Sequence, residues 1–282
     1  MSAHVPDLGV LERAWLTVAE RRGACVRRHA LADTGQELLH VEVGDPRLPT
    51  VLLTAGVHGD EPAGPWALLA LVRGDLLDPH FRYEIWPCTN PSGYVARTRA
   101  NAQGHDVNRS FHDGGTTAEA RAIVAATARS RFALAVDFHE DFEADGFYFY
   151  EPLATGVAPI GEAVLGELQR RALPLHGLTD GFDLGYRSWP AGRPRLEIGR
   201  VLSTPDVERG YGGWPLGTYL LAGRSERVLT FETPRGRPWE MRVRMHAIAA
   251  IVAIAQLRAL LFSCTRDKKH VRFAMAARRA ER

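Results

Sequence analysis

Three short stretches hold the residues best suited to chemistry. In TAGVHGDEPAG (54–64) His58 and Glu61 stand three apart among glycines, between the apolar runs TVLLTA and PWALLALV. In FALAVDFHED a second histidine, His139, closes another apolar run, and in RVLTFETP Glu232 does the same. Catalytic zinc commonly takes two imidazoles and a carboxylate and keeps one position for water. At a strand-to-helix turn, a spacing of three lets His58 and Glu61 point at one centre. His139 is the natural third ligand, and Asp137, two residues before it, is placed to orient a ligand imidazole. A zinc-activated water needs a general base. Glu232 fits, because emergence from an apolar strand desolvates a carboxylate and raises its pKa toward working pH. Each feature alone has a plainer reading: a chance HxxE, a histidine bonded to backbone, an exposed strand-end glutamate. Their joint position at three strand ends favours a metal.

A fourth stretch, NPSGYVARTRANAQGHDVNRSF (90–111), is polar, turn-rich at Asn90–Pro91 and Gly104, and holds three arginines. A guanidinium matches a carboxylate with two parallel hydrogen bonds and does not titrate away. Asn108 and Arg109 therefore form a plausible carboxylate clamp, and Arg97 or Arg99 is suited to stabilising an oxyanion. The plain alternative is a surface loop whose arginines pair with acids.

The elements that must position these residues alternate. Strands are expected at 37–43, 50–55, 81–88, 132–138, 146–151 and 227–232, several of them continuous apolar runs of the kind covered on both faces. Helices are expected at 8–22, 62–73, 116–130, 156–172 and 240–262. Pro62 suits a first helical turn, and Thr116 or Thr117 can cap the next helix with Glu119 close behind. The alternation predicts an α/β layered sheet in one domain. In such sheets ligands bind at the carboxyl ends of strands, where His58, His139 and Glu232 fall. Residues 174–215, rich in Gly, Pro, Arg and Trp, read as long loops.

Bulk properties narrow the classes. The chain has 282 residues, 45% hydrophobic and 24% charged, with net charge +2. That is enough for one sizeable core, and it gives no general affinity for nucleic acid or membrane. Three scattered cysteines form neither a disulfide framework nor a CxxC pair, which fits a reducing compartment. No apolar run reaches the length of a membrane span, and the first residues do not read as a secretory signal, so a cytoplasmic location is expected. Residues 266–282 read as a basic, solvated tail after a single domain over 1–265.

Taken together, HGDE, then NPxGxxxxxRxNxxGxDxNRSF, then DFHED, then FET resemble the M14 zinc carboxypeptidases in chain order from about residue 50 to 235. The resemblance implies a three-layer α/β/α fold with a mixed, about eight-stranded central sheet. It also implies one zinc ion and removal of a C-terminal residue from a peptide. His58, Glu61 and His139 would be its ligands and Glu232 the general base. Arg99, nine residues before Asn108, would be the oxyanion arginine in preference to Arg97. Asn108 and Arg109 would bind the substrate's free carboxylate. The family's substrate-closing tyrosine has two candidates, Tyr219 in GTYL and Tyr211 in GYGGW, with Tyr219 preferred. His58 and His139 are only 81 residues apart, as in the short single-domain bacterial members and the related succinylglutamate desuccinylase/aspartoacylase branch.

The expected substrate is a peptide, or a small acyl-amino acid, with a free carboxylate. A zinc-dependent N-acyl amino-acid deacylase is the alternative enzyme. A peptide-binding relative without catalysis is a second alternative, disfavoured because a binder has no use for Glu232. Glu140, Asp141, Glu143 and Asp145 crowd His139; if one lined the leaving-residue pocket, a basic side chain would be favoured.

Overall fold

The computed structural model describes residues 7–112, 114–151, 157–176 and 212–262. Seven strands form one mixed sheet: β1 (Cys25–Ala30), β2 (Glu37–Val43), β3 (Thr50–Ala55), β4 (Arg82–Trp86), β5 (Leu134–Asp141), β6 (Tyr148–Tyr150) and β7 (Val228–Pro234). Their order across the sheet is β1-β2-β4-β3-β5-β7-β6. The middle four, β4, β3, β5 and β7, run parallel, while β1, β2 and β6 join antiparallel at the flanks. The fold is the expected three-layer, mixed-sheet type, with seven strands among the described residues.

Helices cover both faces. On one side α1 (Leu8–Arg22), α2 (Ala63–Arg73), α5 (Gly161–Arg170) and α7 (Trp239–Phe262) bury a core that includes Trp15, Leu68, Val164 and Met245. On the other, α4 (Ala118–Thr127) and α6 (Leu216–Leu221) pack with Leu38, Leu52 and Trp86. Helix α1 shows the local logic. Asp7 caps its start by accepting from Val10 N–H at 2.8 Å, Leu11, Trp15, Val18 and Ala19 recur at helical spacing and are buried, and Gly23 ends it in the left-handed region. Thr117 caps α4 in the same way, accepting from Ala120 N–H.

Two differences from expectation bear on function. Strand β1 was not expected, because CVRRHA is polar and mostly exposed; it survives as a charged edge strand. Strand β5 runs three residues beyond its expected end at 138 and β7 two beyond its expected end at 232, so His139 lies within a paired strand rather than just past it, and Glu232 lies inside β7 rather than at its last position. Helix α7, 24 residues, is long and apolar enough to cross a membrane by length and composition, yet it packs against α2 and α5 and buries Met245, His246, Ala249, Ala253 and Leu257 in the core. The tail at 266–282 lies outside the described residues.

Candidate metal centre

The site forms where parallel strands β3, β5 and β7 end. Beyond β3 the chain makes a tight turn carrying His58 and Glu61 before entering α2. The turn is pressed against α3 (Pro91–Ala96): a Cβ on Gly59 would lie 1.8 Å from the Gly93 carbonyl carbon. Only glycine permits that approach. Asn90 ties the pieces together. Its Oδ1 caps α3 by accepting from Gly93 N–H at 2.9 Å, and its Nδ2 donates to the carbonyls of Val57 and Arg99.

His58, Glu61 and His139 converge, with one ligand atom from each lying within 4.8 Å of the others. All three are buried. His58 Nδ1 lies 2.7 Å from Glu61 Oε1, His139 Nδ1 lies 2.9 Å from Glu61 Oε2, and the two Nδ1 atoms are 3.2 Å apart. The remaining ring nitrogens face carboxylates. His139 Nε2 is 2.9 Å from Asp137 Oδ2, and His58 Nε2 is 3.2 Å from Asp106 Oδ1. Thr54 Oγ1 donates to Asp137 at 2.7 Å. A carboxylate on the far nitrogen sets the tautomer that turns a lone pair at Nδ1 toward the centre. Two imidazoles and a carboxylate so arranged fit a dication of the zinc type.

The charges are mutually dependent. Burial works to raise the Glu61 pKa, but His139 and His58 outweigh it and hold Glu61 low. Burial works to lower that of His139, but Asp137 and Glu61 drive it well above the usual imidazole range. Such a buried carboxylate–imidazole set is held together by opposite charge, a role a dication takes over directly.

Glu232 lies beside this cluster. In the β5–β7 register it is the partner of His139, and in the β6–β7 register the partner of Tyr148, so one row across three strands reads His139, Glu232, Tyr148. Paired residues point to one face with Cβ atoms about 4.5–5.5 Å apart. Burial pushes the Glu232 carboxyl well above the usual range; His139 opposes this, while Glu61, Asp141 and Asp137 add to it. A carboxyl so perturbed beside a candidate metal-ligand set is suited to proton transfer.

Arg99 reaches the centre from the loop after α3, with its guanidinium 3.3 Å from His58 Nδ1 and 3.8 Å from Glu61 Oε1. It is half-exposed and held by Asp106 Oδ2 through Nε and NH2, both at 3.0 Å. Arg97 sits over the Tyr94 ring instead. Asn108 is buried, and its Oδ1 accepts from Leu216 N–H at 2.9 Å, which leaves Nδ2 as the donor side toward a ligand. Arg109 is half-buried; burial works to raise the Asp106 pKa, but His58 above all, with smaller contributions from Arg99 and Arg109, holds that carboxyl low. Its backbone is pinned by Trp214, and a Cβ on Gly213 would lie 2.1 Å from Arg109 O.

The structure does not bring Tyr219 to the centre. Its ring is buried in the core below α6, its hydroxyl is 3.0 Å from Thr127 Oγ1 and donates to Val124 O, and Arg224 lies over its face. Thr127 ends α4, before the amino end of β5, whereas the metal ligands are at the carboxyl ends. Tyr211 lies outside the described residues.

Asp106 was missed by sequence reasoning, although it stands inside GHDVNR. It touches both His58 and Arg99, and it also caps the 3₁₀ turn Val107–Arg109 by accepting from Asn108 N–H. Three of the acidic residues after His139 have engaged side chains. Glu140 is buried against Ala63 and Arg242, Asp141 accepts from Glu143 N–H and Tyr148 OH, and Asp145 meets His176. Glu140 therefore cannot line a pocket for a basic side chain.

The mixed sheet with helices on both faces is a carboxypeptidase-like α/β fold. The chain superposes on a candidate metallopeptidase from Shewanella amazonensis with a TM-score of 0.69 and 22% identity, over 89% of this chain and 93% of that one. It superposes on the carboxypeptidase A of Helicoverpa armigera with a TM-score of 0.62 and 15% identity, over 92% and 75%. A Pseudomonas aeruginosa metallo-carboxypeptidase, solved in complex with (2-guanidinoethylmercapto)succinic acid, gives a TM-score of 0.56 and 18% identity, over 87% and 68%. Residues 47–154 match the succinylglutamate desuccinylase/aspartoacylase catalytic domain. These likenesses show a carboxypeptidase-like α/β fold and, over 47–154, a stretch similar to that catalytic domain. No curated protein matches the sequence significantly.

Proposed function

We propose that this protein is a zinc-dependent carboxypeptidase that removes the last residue of a peptide. The observation that carries the reading is the row of His139 and Glu232 beside the His58–Glu61 pair, with Arg99 at its open side. Zinc bound by His58, Glu61 and His139 supplies Lewis-acid polarisation and acidifies water. The chain's own residues do the rest. Glu232 takes the proton of the water that attacks the carbonyl carbon, then delivers it to the leaving amine as the C–N bond breaks. Arg99, steadied by Asp106, holds the negative charge that develops on the carbonyl oxygen. Asn108 and Arg109 bind the substrate's terminal carboxylate and fix the scissile bond in reach of Glu232. Among the described residues Cys25 and Cys88 form no disulfide, in keeping with the proposed reducing, cytoplasmic setting.

One observation favours a second reading. The match over 47–154 is to a desuccinylase/aspartoacylase domain, and that span holds every proposed metal ligand, the carboxylate clamp and Arg99, but not the base Glu232. The same site would then release an acyl group from a small N-acyl amino acid. Mass spectrometry decides between the two. A mixed peptide pool and a set of N-succinyl and N-acetyl amino acids are incubated with and without a zinc chelator. Stepwise loss of single C-terminal residues, abolished by chelator, is expected. Release of succinate or acetate with intact peptides would replace the first reading with the second, and no turnover of either set would remove both.

A further inference from the structure

Glu140 and Arg242 form a buried ion pair that the proposed chemistry does not use. Glu140 follows His139 in β5, and Arg242 lies in the first turns of α7. Both are buried, and the Arg242 guanidinium donates to Glu140 Oε2. The other carboxylate oxygen, Oε1, accepts from Ala63 N–H at 2.7 Å. Ala63 is the first residue of α2, two after Glu61, and Pro62 before it offers no side-chain cap. Glu140 therefore caps α2 from a distant strand, where a negative charge suits the helix start. The backbone N–H of the same Glu140 donates to Glu61 Oε2 at 3.1 Å. A closed circuit results. Glu61 leads through the chain to Ala63, Ala63 donates to the Glu140 side chain, and the Glu140 backbone donates back to the Glu61 carboxylate. Arg242 anchors the circuit to α7.

Stability alone is a weak reason for this pair, since a buried ion pair seldom outperforms apolar residues of the same volume. Its partners are the turn and the carboxylate of one metal ligand. We infer that Glu140 and Arg242 are positioning residues that hold Glu61 in its ligating orientation and so set the affinity of the site for its metal. The inference rests on the metal-site reading above.

The experiment titrates metal-free full-length protein with zinc against a chromogenic chelator, alongside far-UV circular dichroism and the Tm of the metal-free form. Two variants are compared with the parent. Glu140→Gln keeps the shape but removes the charge, and Glu140→Gln/Arg242→Met also removes the cation that would be left unpaired. Partners of this kind typically contribute 10- to 100-fold in metal affinity. The expected result is at least about a tenfold weaker zinc affinity in both, with the metal-free Tm of the double variant close to that of the parent. Parent-like affinity in either folded variant would overturn the inference while leaving the metal site standing. Failure of both to fold would assign the pair to the fold instead, which also overturns it. A parent that binds no zinc would sink the metal-site reading itself and the inference with it.

Discussion

Two buried histidine clusters lie on the same face of this sheet, and they behave in opposite ways. At the carboxyl ends of β3, β5 and β7, His58 and His139 have carboxylates at 2.7–3.2 Å on both ring nitrogens. On the antiparallel flank, His40 of β2 stacks on Trp86 of β4 at 4.4 Å, with His29 of β1 4.9 Å from the same Trp ring. Among the described residues neither ring nitrogen of His40 has a hydrogen-bond partner, and the Glu84 carboxylate lies 3.8 Å away. Burial drives the His40 pKa down to about 4; Glu42 opposes this, while His29, Arg27 and Arg82 add to it. The same burial acts on His139, where Asp137 and Glu61 reverse its effect. Burial alone makes a neutral, stacked core histidine. Carboxylates within hydrogen-bond reach make a ligand set.

The comparison can be broken most forcefully at the ligands. His139→Gln should abolish zinc binding and activity together, while His40→Gln should leave zinc content unchanged; equal zinc loss in both, measured by elemental analysis, would erase the distinction. Glu232→Gln should keep zinc and fold but lower kcat by about 10²–10⁴-fold, and parent-like turnover would remove Glu232 from the proton path. Asp137→Asn, which keeps the shape but weakens the acceptor on His139 Nε2, should weaken zinc affinity by about 10–100-fold. An unchanged affinity would mean that Asp137 serves Thr54 and the strand alone.

The smallest effect sharpens the other side. The folded-state pKa of His40 lies below its ordinary 6.5, at about 4, so the fold favours the neutral ring. The stability this carries is complete above pH 6.5 and is lost as pH falls through that value toward 4. At pH 4.5 the loss is about 2–3 kcal/mol. His40→Leu should therefore lose less stability than the parent between pH 7 and 4.5, as read by urea unfolding at each pH. Parallel pH curves for the two proteins would show that His40 takes no part in the acid response.

Much of the site was legible because local patterns carry it. His58 and Glu61 sit in one turn, Asn108 and Arg109 are adjacent, and His139 and Glu232 close apolar runs whose burial in a parallel sheet follows from their composition. Asp106 was hidden for a different reason. Its function is to touch His58, 48 positions earlier, and no local pattern reports that. Tyr219 illustrates the reverse error. It was the preferred of two candidates for the substrate-closing tyrosine with no clear motif behind either, and the direction of α6 carries its ring toward the end of α4, away from the centre. Strand β1 was invisible because an edge strand has one pairing partner and needs little apolar character.

The sequence by itself determined the alternating elements, the chemical types at three strand ends, and the loop of arginines, since periodicity and residue chemistry are local properties. Only the tertiary structure decided which carboxylate faces which imidazole nitrogen, and that Glu140 turns inward to Ala63 and Arg242. Those outcomes depend on strand register and helix placement. Register joins residues many tens of positions apart, and the free energy of each pairing belongs to the packed whole.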